Sequence, residues 1–137
     1  MLAELSVSSQ DLAGITVPVA VVRGRATGPQ VTVLAGVHGC EYSAMSAARR
    51  FIRELGGEPV AGQVAIVPVL NIPAFTERSP FVVPEDGKNL NRSFPGDPAG
   101  SLTERLADAV VTRFIRGTDA LIDMHSGDMV EDLVPFT

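Results

Sequence analysis

Apolar and polar positions follow two rhythms along this chain. Thr16 to Gly24 (TVPVAVVRG) and Gln30 to Gly36 (QVTVLAG) are short, valine-rich and bounded by turn residues, which predicts two strands. Arg25 to Pro29 between them is brief and turn-like, so the pair is expected to form an antiparallel hairpin. From Glu41 to Leu55 the period changes. Met45, Ala48, Ile52 and Leu55 recur at helical spacing, and Gly56 with Gly57 ends the run. Gln63 to Leu70 (QVAIVPVL) is nearly all apolar, as in a strand covered on both faces, with Pro68 marking its expected end. Asn71 to Gly100 shows no clear period and holds several prolines and glycines, which predicts a long functional loop. Ser101-Leu102-Thr103-Glu104 fits a capping box, followed by Leu102, Leu106, Val110 and Phe114 at i+4 spacing and a stop at Gly117. Asp119 to Met124 (DALIDM) is the last predicted strand.

The order is hairpin, helix, strand, long loop, helix, strand. Helical crossovers between strands predict an α/β fold with a mixed, mainly parallel sheet and flanking helices. No internal repeat, low-complexity segment or linker interrupts it.

Composition narrows the class without changing the fold. The chain has 137 residues, enough for one core, and 45% of them are apolar. The net charge is −5 and no basic stripe is present, which argues against a nucleic-acid partner. A local arginine pair can still make a pocket for a small anion. Cys40 is the only cysteine, so no intrachain disulfide forms, as expected for a cytoplasmic protein. No basic-then-apolar leader opens the chain, and no apolar run approaches the ~20 residues that span a bilayer. The expectation is a soluble protein with no membrane partner. A homo-oligomer stays open.

Both histidines follow strands. His38 comes just after Gln30–Gly36, and His125 just after Asp119–Met124. Ligands of open α/β sheets bind beyond the carboxyl ends of strands, so the two can meet in one crevice. Glu41 stands three residues after His38 at a predicted helix start, where one helical turn would bring both side chains to the same side. Two imidazoles and one carboxylate form a known catalytic zinc set that leaves a place for water. Gly36 and Gly39 flank His38 and suit a tight turn. Singly, each residue has an ordinary role open to it: a structural histidine, or an acid favoured at a helix N-terminus. Their common placement is what points to a metal. In the long loop, Arg92 could grip a carboxylate with two hydrogen bonds, Asn91 could be its neutral partner, and Arg78 could stabilise an oxyanion. The same asparagines, proline and glycine could serve only as turn chemistry.

Three blocks carry a resemblance: Gly36 to Glu41 (GVHGCE), Asp86 to Gly96 (DGKNLNRSFPG) and Asp123 to Asp128 (DMHSGD). In order and spacing they are similar to the succinylglutamate desuccinylase/aspartoacylase family of the zinc carboxypeptidase superfamily. The resemblance implies one zinc ion at His38, Glu41 and His125, a substrate carboxylate at Asn91 and Arg92, and a carbonyl-polarising role for Arg78. It implies an orienting or structural role for Asp123, and gives none to Asp128 or Glu131. Cys40 is expected to pack nearby without taking part, turned away from Glu41 on a helical turn. The family's general base is a glutamate well downstream of the last metal ligand, and it has no counterpart here. Residues 1–137 are therefore expected to be the N-terminal portion of one zinc-hydrolase catalytic domain, with a sheet edge left open to association. The expected activity is hydrolysis of the amide bond of an N-acyl amino acid or similar small carboxylate. The alternatives are a metallocarboxypeptidase, or a fragment that binds zinc and ligand, or associates, without turnover.

Overall fold

The computed structural model describes residues 3–131. Five strands form one mixed sheet: β1 (Glu4–Leu12), β2 (Ile15–Arg23), β3 (Ala26–Ala35), β4 (Ala61–Val67) and β5 (Ala120–Met124), in the spatial order β1-β2-β4-β3-β5. The helices are α1 (Tyr42–Leu55), α2 (Ile72–Glu77) and α3 (Leu102–Val110). A single 3-10 turn covers Leu90–Arg92, and α3 runs on into a wide turn over Val111–Ile115.

The predicted hairpin between the first two apolar runs does not form. β4 lies between β2 and β3, antiparallel to one and parallel to the other. The reason is burial. The β3–α1–β4 crossover returns β4 to the sheet interior parallel to β3, and there Ile66 and Val67 are fully buried on opposite faces of the sheet. The hairpin that does form joins β1 to β2 through Ala13 and Gly14, both at positive φ, as a two-residue type I′ turn needs. Most of β1 is exposed on both faces, so its sequence carries no apolar alternation.

The two faces of the sheet alternate as strand geometry requires. Ala20, Val22, Val33, Ala35 and Ile66 pack with Ala48 of α1. Val17, Val19, Leu34 and Val67 face the opposite way, with Leu106, Ala107 and Val110 of α3. Each fully buried valine or leucine contributes about 1.5–3 kcal/mol of transfer free energy. Pro68 follows the last residue of β4, as expected. The capping box at α3 closes on its glutamate side, where the Ser101 N–H donates to Glu104 Oε2 at 2.8 Å. Steps of i+4 overshoot a 3.6-residue turn, so the Leu102–Phe114 stripe winds around its helix. The wider turn at Val111–Ile115 offsets this and keeps Phe114 against the core. The Thr32 hydroxyl on β3 donates to the Phe114 carbonyl at 2.7 Å, which satisfies a buried polar side chain.

The long loop is not featureless. α2 starts at Asn71, whose side chain accepts the Ala74 N–H, with proline at the start of the helix. Asp86 then ties the loop to α3 by accepting from the Thr103 N–H (2.8 Å) and the Thr103 hydroxyl (2.5 Å). No helix among the described residues is long and apolar enough to cross a membrane. β5 forms an open edge, with Leu121 and Ile122 both exposed.

Candidate metal centre

β3 and β5 are parallel neighbours, and Ala35 pairs with Met124 at their carboxyl ends. The chain leaving β3 and the chain leaving β5 therefore emerge side by side. His38 lies three residues past one end and His125 directly past the other. The crevice expected from the sequence forms, and its ring centroids stand 5.1 Å apart.

Glu41 joins the two. Its Oε1 accepts from His38 Nδ1 at 2.7 Å, and its Oε2 accepts from His125 Nδ1 at 2.9 Å. One ligand atom from each of the three residues lies within 4.8 Å of the others, so the set could hold a metal ion. His38 and Glu41 do not share a helical turn, as the spacing had suggested. Residues 38–40 form a non-helical turn and Glu41 is the N-cap of α1, at φ −82° and ψ 62°. The turn, not the helix, brings the two side chains together. It is packed tightly: a Cβ on Gly39 would stand 2.4 Å from the Ala74 carbonyl carbon and 2.5 Å from the Ser79 oxygen. Gly36 opens the turn at φ +69°.

Residues outside the predicted set hold this turn in place. Asn71 is fully buried, and its Nδ2 donates to the Val37 carbonyl at 3.0 Å, one residue before His38. Cys40 is buried. Its thiol donates to the Arg78 carbonyl at 3.3 Å and accepts from the Tyr42 hydroxyl at 3.7 Å, so it ties the metal loop to the end of α2. Asn89 Oδ1 accepts the Asn91 N–H at 2.8 Å and stands 3.3 Å from His38 Nε2. Asn71 carried a legible signal, an asparagine just before an isoleucine–proline helix start. Asn89 carried only its place inside the DGKNLNR block.

The outer nitrogens of the two rings complete the case for a cation. His38 Nε2 faces Asn89 Oδ1, and His125 Nε2 donates to Asp123 Oδ2 at 3.0 Å. With a cation in place of the Nδ1 protons, each ring could keep a proton on Nε2 and offer Nδ1 inward, the arrangement metal-binding histidines use. Hydrogen bonds to Asp123 and then Glu41 raise His125 to about 10, against the opposing pull of burial. Burial would raise Glu41, but the hydrogen bonds from His125 and His38 outweigh it and hold the carboxylate at about 2. An anionic carboxylate between two imidazole rings is a good cation site.

The other predicted residues make no hydrogen bond to this cluster. Arg78 is exposed and caps α2 in the left-handed region at φ +56°, uncommon for a non-glycine residue. Among the described residues its guanidinium makes no hydrogen bond. Asn91 is half-buried and linked to His38 through Asn89. Arg92 is exposed, and its Nη1 donates to the Asn91 carbonyl at 3.4 Å. Phe81, which the sequence did not single out, stands edge-on to the His38 ring, centroids 5.5 Å apart.

The succinylglutamate desuccinylase/aspartoacylase catalytic domain, as a family model, matches residues 27–137. The chain belongs to this family. A curated family relative, N-alpha-acetyl-L-2,4-diaminobutyric acid deacetylase from Halomonas elongata, is 41% identical over 135 residues, covering 97% of this chain and 39% of the relative. The crystal structure of an aspartoacylase family protein from Mesorhizobium loti superposes with a TM-score of 0.82 at 32% identity, over 88% of this chain and 40% of that one. A metallo-carboxypeptidase from Burkholderia cenocepacia shares the fold, with a TM-score of 0.68 at 19% identity over 91% of this chain and 36% of that one. The chain thus spans about two-fifths of the length of these proteins. The zinc-carboxypeptidase-like α/β fold expected from the resemblance is the one observed.

Proposed function

We propose that residues 1–137 are the metal-binding N-terminal portion of a zinc-dependent hydrolase that cleaves the amide bond of an N-acyl amino acid or a similar small carboxylate. The observation that carries this is the His38–Glu41–His125 cluster at the carboxyl ends of two parallel strands, with Nδ1 of both rings turned inward. The deacetylase named above, at 41% identity, supports an acylated amino acid as the substrate class. N-acetyl-2,4-diaminobutyrate is accordingly the first compound to assay.

His38, Glu41 and His125 would hold one zinc ion, which supplies Lewis-acid polarisation of the scissile carbonyl and of water. Asn89 and Asp123 would keep a proton on Nε2 of each ring, so that Nδ1 can give up the proton it shares with Glu41 and bind instead. Arg92 and Asn91 anchor the substrate carboxylate, which sets where the acyl carbonyl lies. Arg78 stabilises the negative charge that develops on the carbonyl oxygen.

One observation favours a second reading of this chain taken alone. Among the described residues, the carboxylates bonded to the histidines are Glu41 and Asp123, and both are already engaged. Such a chain would bind metal and carboxylate without turnover. Elemental analysis of the purified chain and of His38→Ala tests the metal; absence of zinc in both, with no uptake, sinks it. Assay of N-acyl amino acids with this chain and with a longer one tests the base. Equal rates would show that these residues need no glutamate from elsewhere.

A further inference from the structure

The ring of Phe81 is a large apolar surface set directly against His38 of the candidate metal cluster. It meets His38 edge-on, with an interplanar angle of 82°, yet 42% of the residue stays exposed. His38 itself is only 8% exposed, so the open part of this contact belongs to the phenylalanine. The ring is not on a loose tip. The Ser79 hydroxyl donates to the Val82 carbonyl at 2.6 Å and closes the turn that carries Pro80 and Phe81. Val83, two residues after Phe81, is fully buried, and its N–H donates to the Lys88 carbonyl at 2.8 Å. Phe81 is therefore held in place between two anchors and offers an apolar face beside an otherwise polar cluster.

We infer that Phe81 determines which acyl groups this site accepts, by forming an apolar wall against the hydrocarbon part of the acyl chain. The inference rests on the hydrolase reading above and deepens it. The polar groups at Arg78, Asn91 and Arg92 suit the charged portion of an N-acyl amino acid, and none suits its alkyl portion. A fixed, half-exposed aromatic ring at van der Waals distance from a metal-binding imidazole does. Each methylene laid against one such wall raises affinity by about twofold, half the effect of full burial on a logarithmic scale.

The released acyl group is a simple carboxylate, which gives a test without turnover. The 137-residue chain is loaded with cobalt(II), and straight-chain carboxylates from acetate to hexanoate are titrated while the visible cobalt spectrum is followed. The parent chain is expected to bind hexanoate, with four more methylenes, about 15-fold more tightly than acetate. Phe81→Ala should bring that ratio to within about twofold of unity, and Phe81→Leu, which keeps apolar bulk, should retain most of it. A ratio unchanged in Phe81→Ala overturns the inference, as does a parent chain indifferent to chain length. A lowered unfolding midpoint with the ratio intact also overturns it, because the ring would then serve packing alone. A chain that takes up no cobalt overturns the metal reading and this inference together, a result distinct from the others.

Discussion

His38 and His125 present the same nitrogen to the same carboxylate, yet their surroundings differ. His38 is buried, and its turn is fastened from three directions: by Asn71 on the Val37 carbonyl, by Cys40 on the Arg78 carbonyl, and by the close approach of Gly39 to α2 and Ser79. A neutral amide, Asn89, stands at its outer nitrogen. His125 is half-buried and follows an edge strand whose residues are mostly exposed, and a carboxylate, Asp123, holds its outer nitrogen. One histidine is thus positioned by packing and the other by charge. Interference with each should fail in its own way: loss of fold on the His38 side, altered proton balance on the His125 side.

Glu41 belongs to both sides, so its removal should have the largest effect. Glu41→Gln keeps the shape but takes away the charge between the rings. Metal affinity should fall by more than about a hundredfold, beyond the 10–100-fold typical of outer-shell partners. Titration against a chelator of known affinity measures it, and a loss under tenfold would remove Glu41 from the ligand set. Asn71→Ala comes next and should show the packing side. It leaves the Val37 carbonyl and the Ala74 N–H without their buried partner, at a cost of about 2–3 kcal/mol in urea unfolding. The same change at a site positioned by charge would barely move stability. A cost below about 0.5 kcal/mol would mean that Asn71 does not fasten the His38 turn.

The sequence made some of this legible and hid the rest for physical reasons. His38 and His125 could be placed at strand ends because apolar runs of strand length stop just before them. Glu41 could be paired with His38 by local spacing, though a turn rather than a helix brings them together. The pairing of β2 with β4 could not be read. It depends on a long-range choice of strand partner that buries Ile66 and Val67, and local turn chemistry at Arg25–Pro29 says nothing of that. β1 was invisible because a polar strand exposed on both faces has no period. The roles of Asn71, Asn89 and Phe81 arise from contacts across the fold to Val37 and His38, which no local pattern encodes.

On the charge side, Asp123→Asn should change proton balance more than fold. In the metal-free chain His125 titrates at about 10, raised first by Asp123 and then by Glu41. A raised histidine contributes stability that is fully present below about 6.5, its ordinary value, and lost as pH rises through about 10. Metal binding must displace that proton, so affinity should climb about tenfold per pH unit until pH approaches 10. With Asp123→Asn the proton is held less tightly and the climb should level off at lower pH. Calorimetry in buffers of different ionisation enthalpy counts the protons released. The parent should release about one from His125 at pH 8, and the variant a smaller fraction. Equal release from both would show that Asp123 does not set the charge of His125.

The smallest effect is expected at Asp86, away from the cluster on the loop that carries Asn89. Burial would raise this carboxyl. The hydrogen bonds from the Thr103 side chain and backbone, with that of the Lys88 N–H, outweigh it and hold it at about 2. A depressed acid contributes stability that is present above its ordinary value of 3.8 and lost as pH falls through about 2. The group is largely solvated, so screening should keep the contribution under about 1 kcal/mol. Glu104 titrates in the same acid range, lowered first by its hydrogen bond with Lys88, so acid unfolding of the parent reports both groups. Asp86→Asn separates them: its stability should match the parent near pH 2 and fall slightly below it at pH 7. If Asp86 also steadies Asn89, the variant at pH 7 should lose a few-fold in metal affinity while Asn71→Ala loses more, since Asn71 holds the His38 turn directly. An Asp86→Asn curve parallel to the parent across the whole acid range would show that this staple adds nothing to the loop.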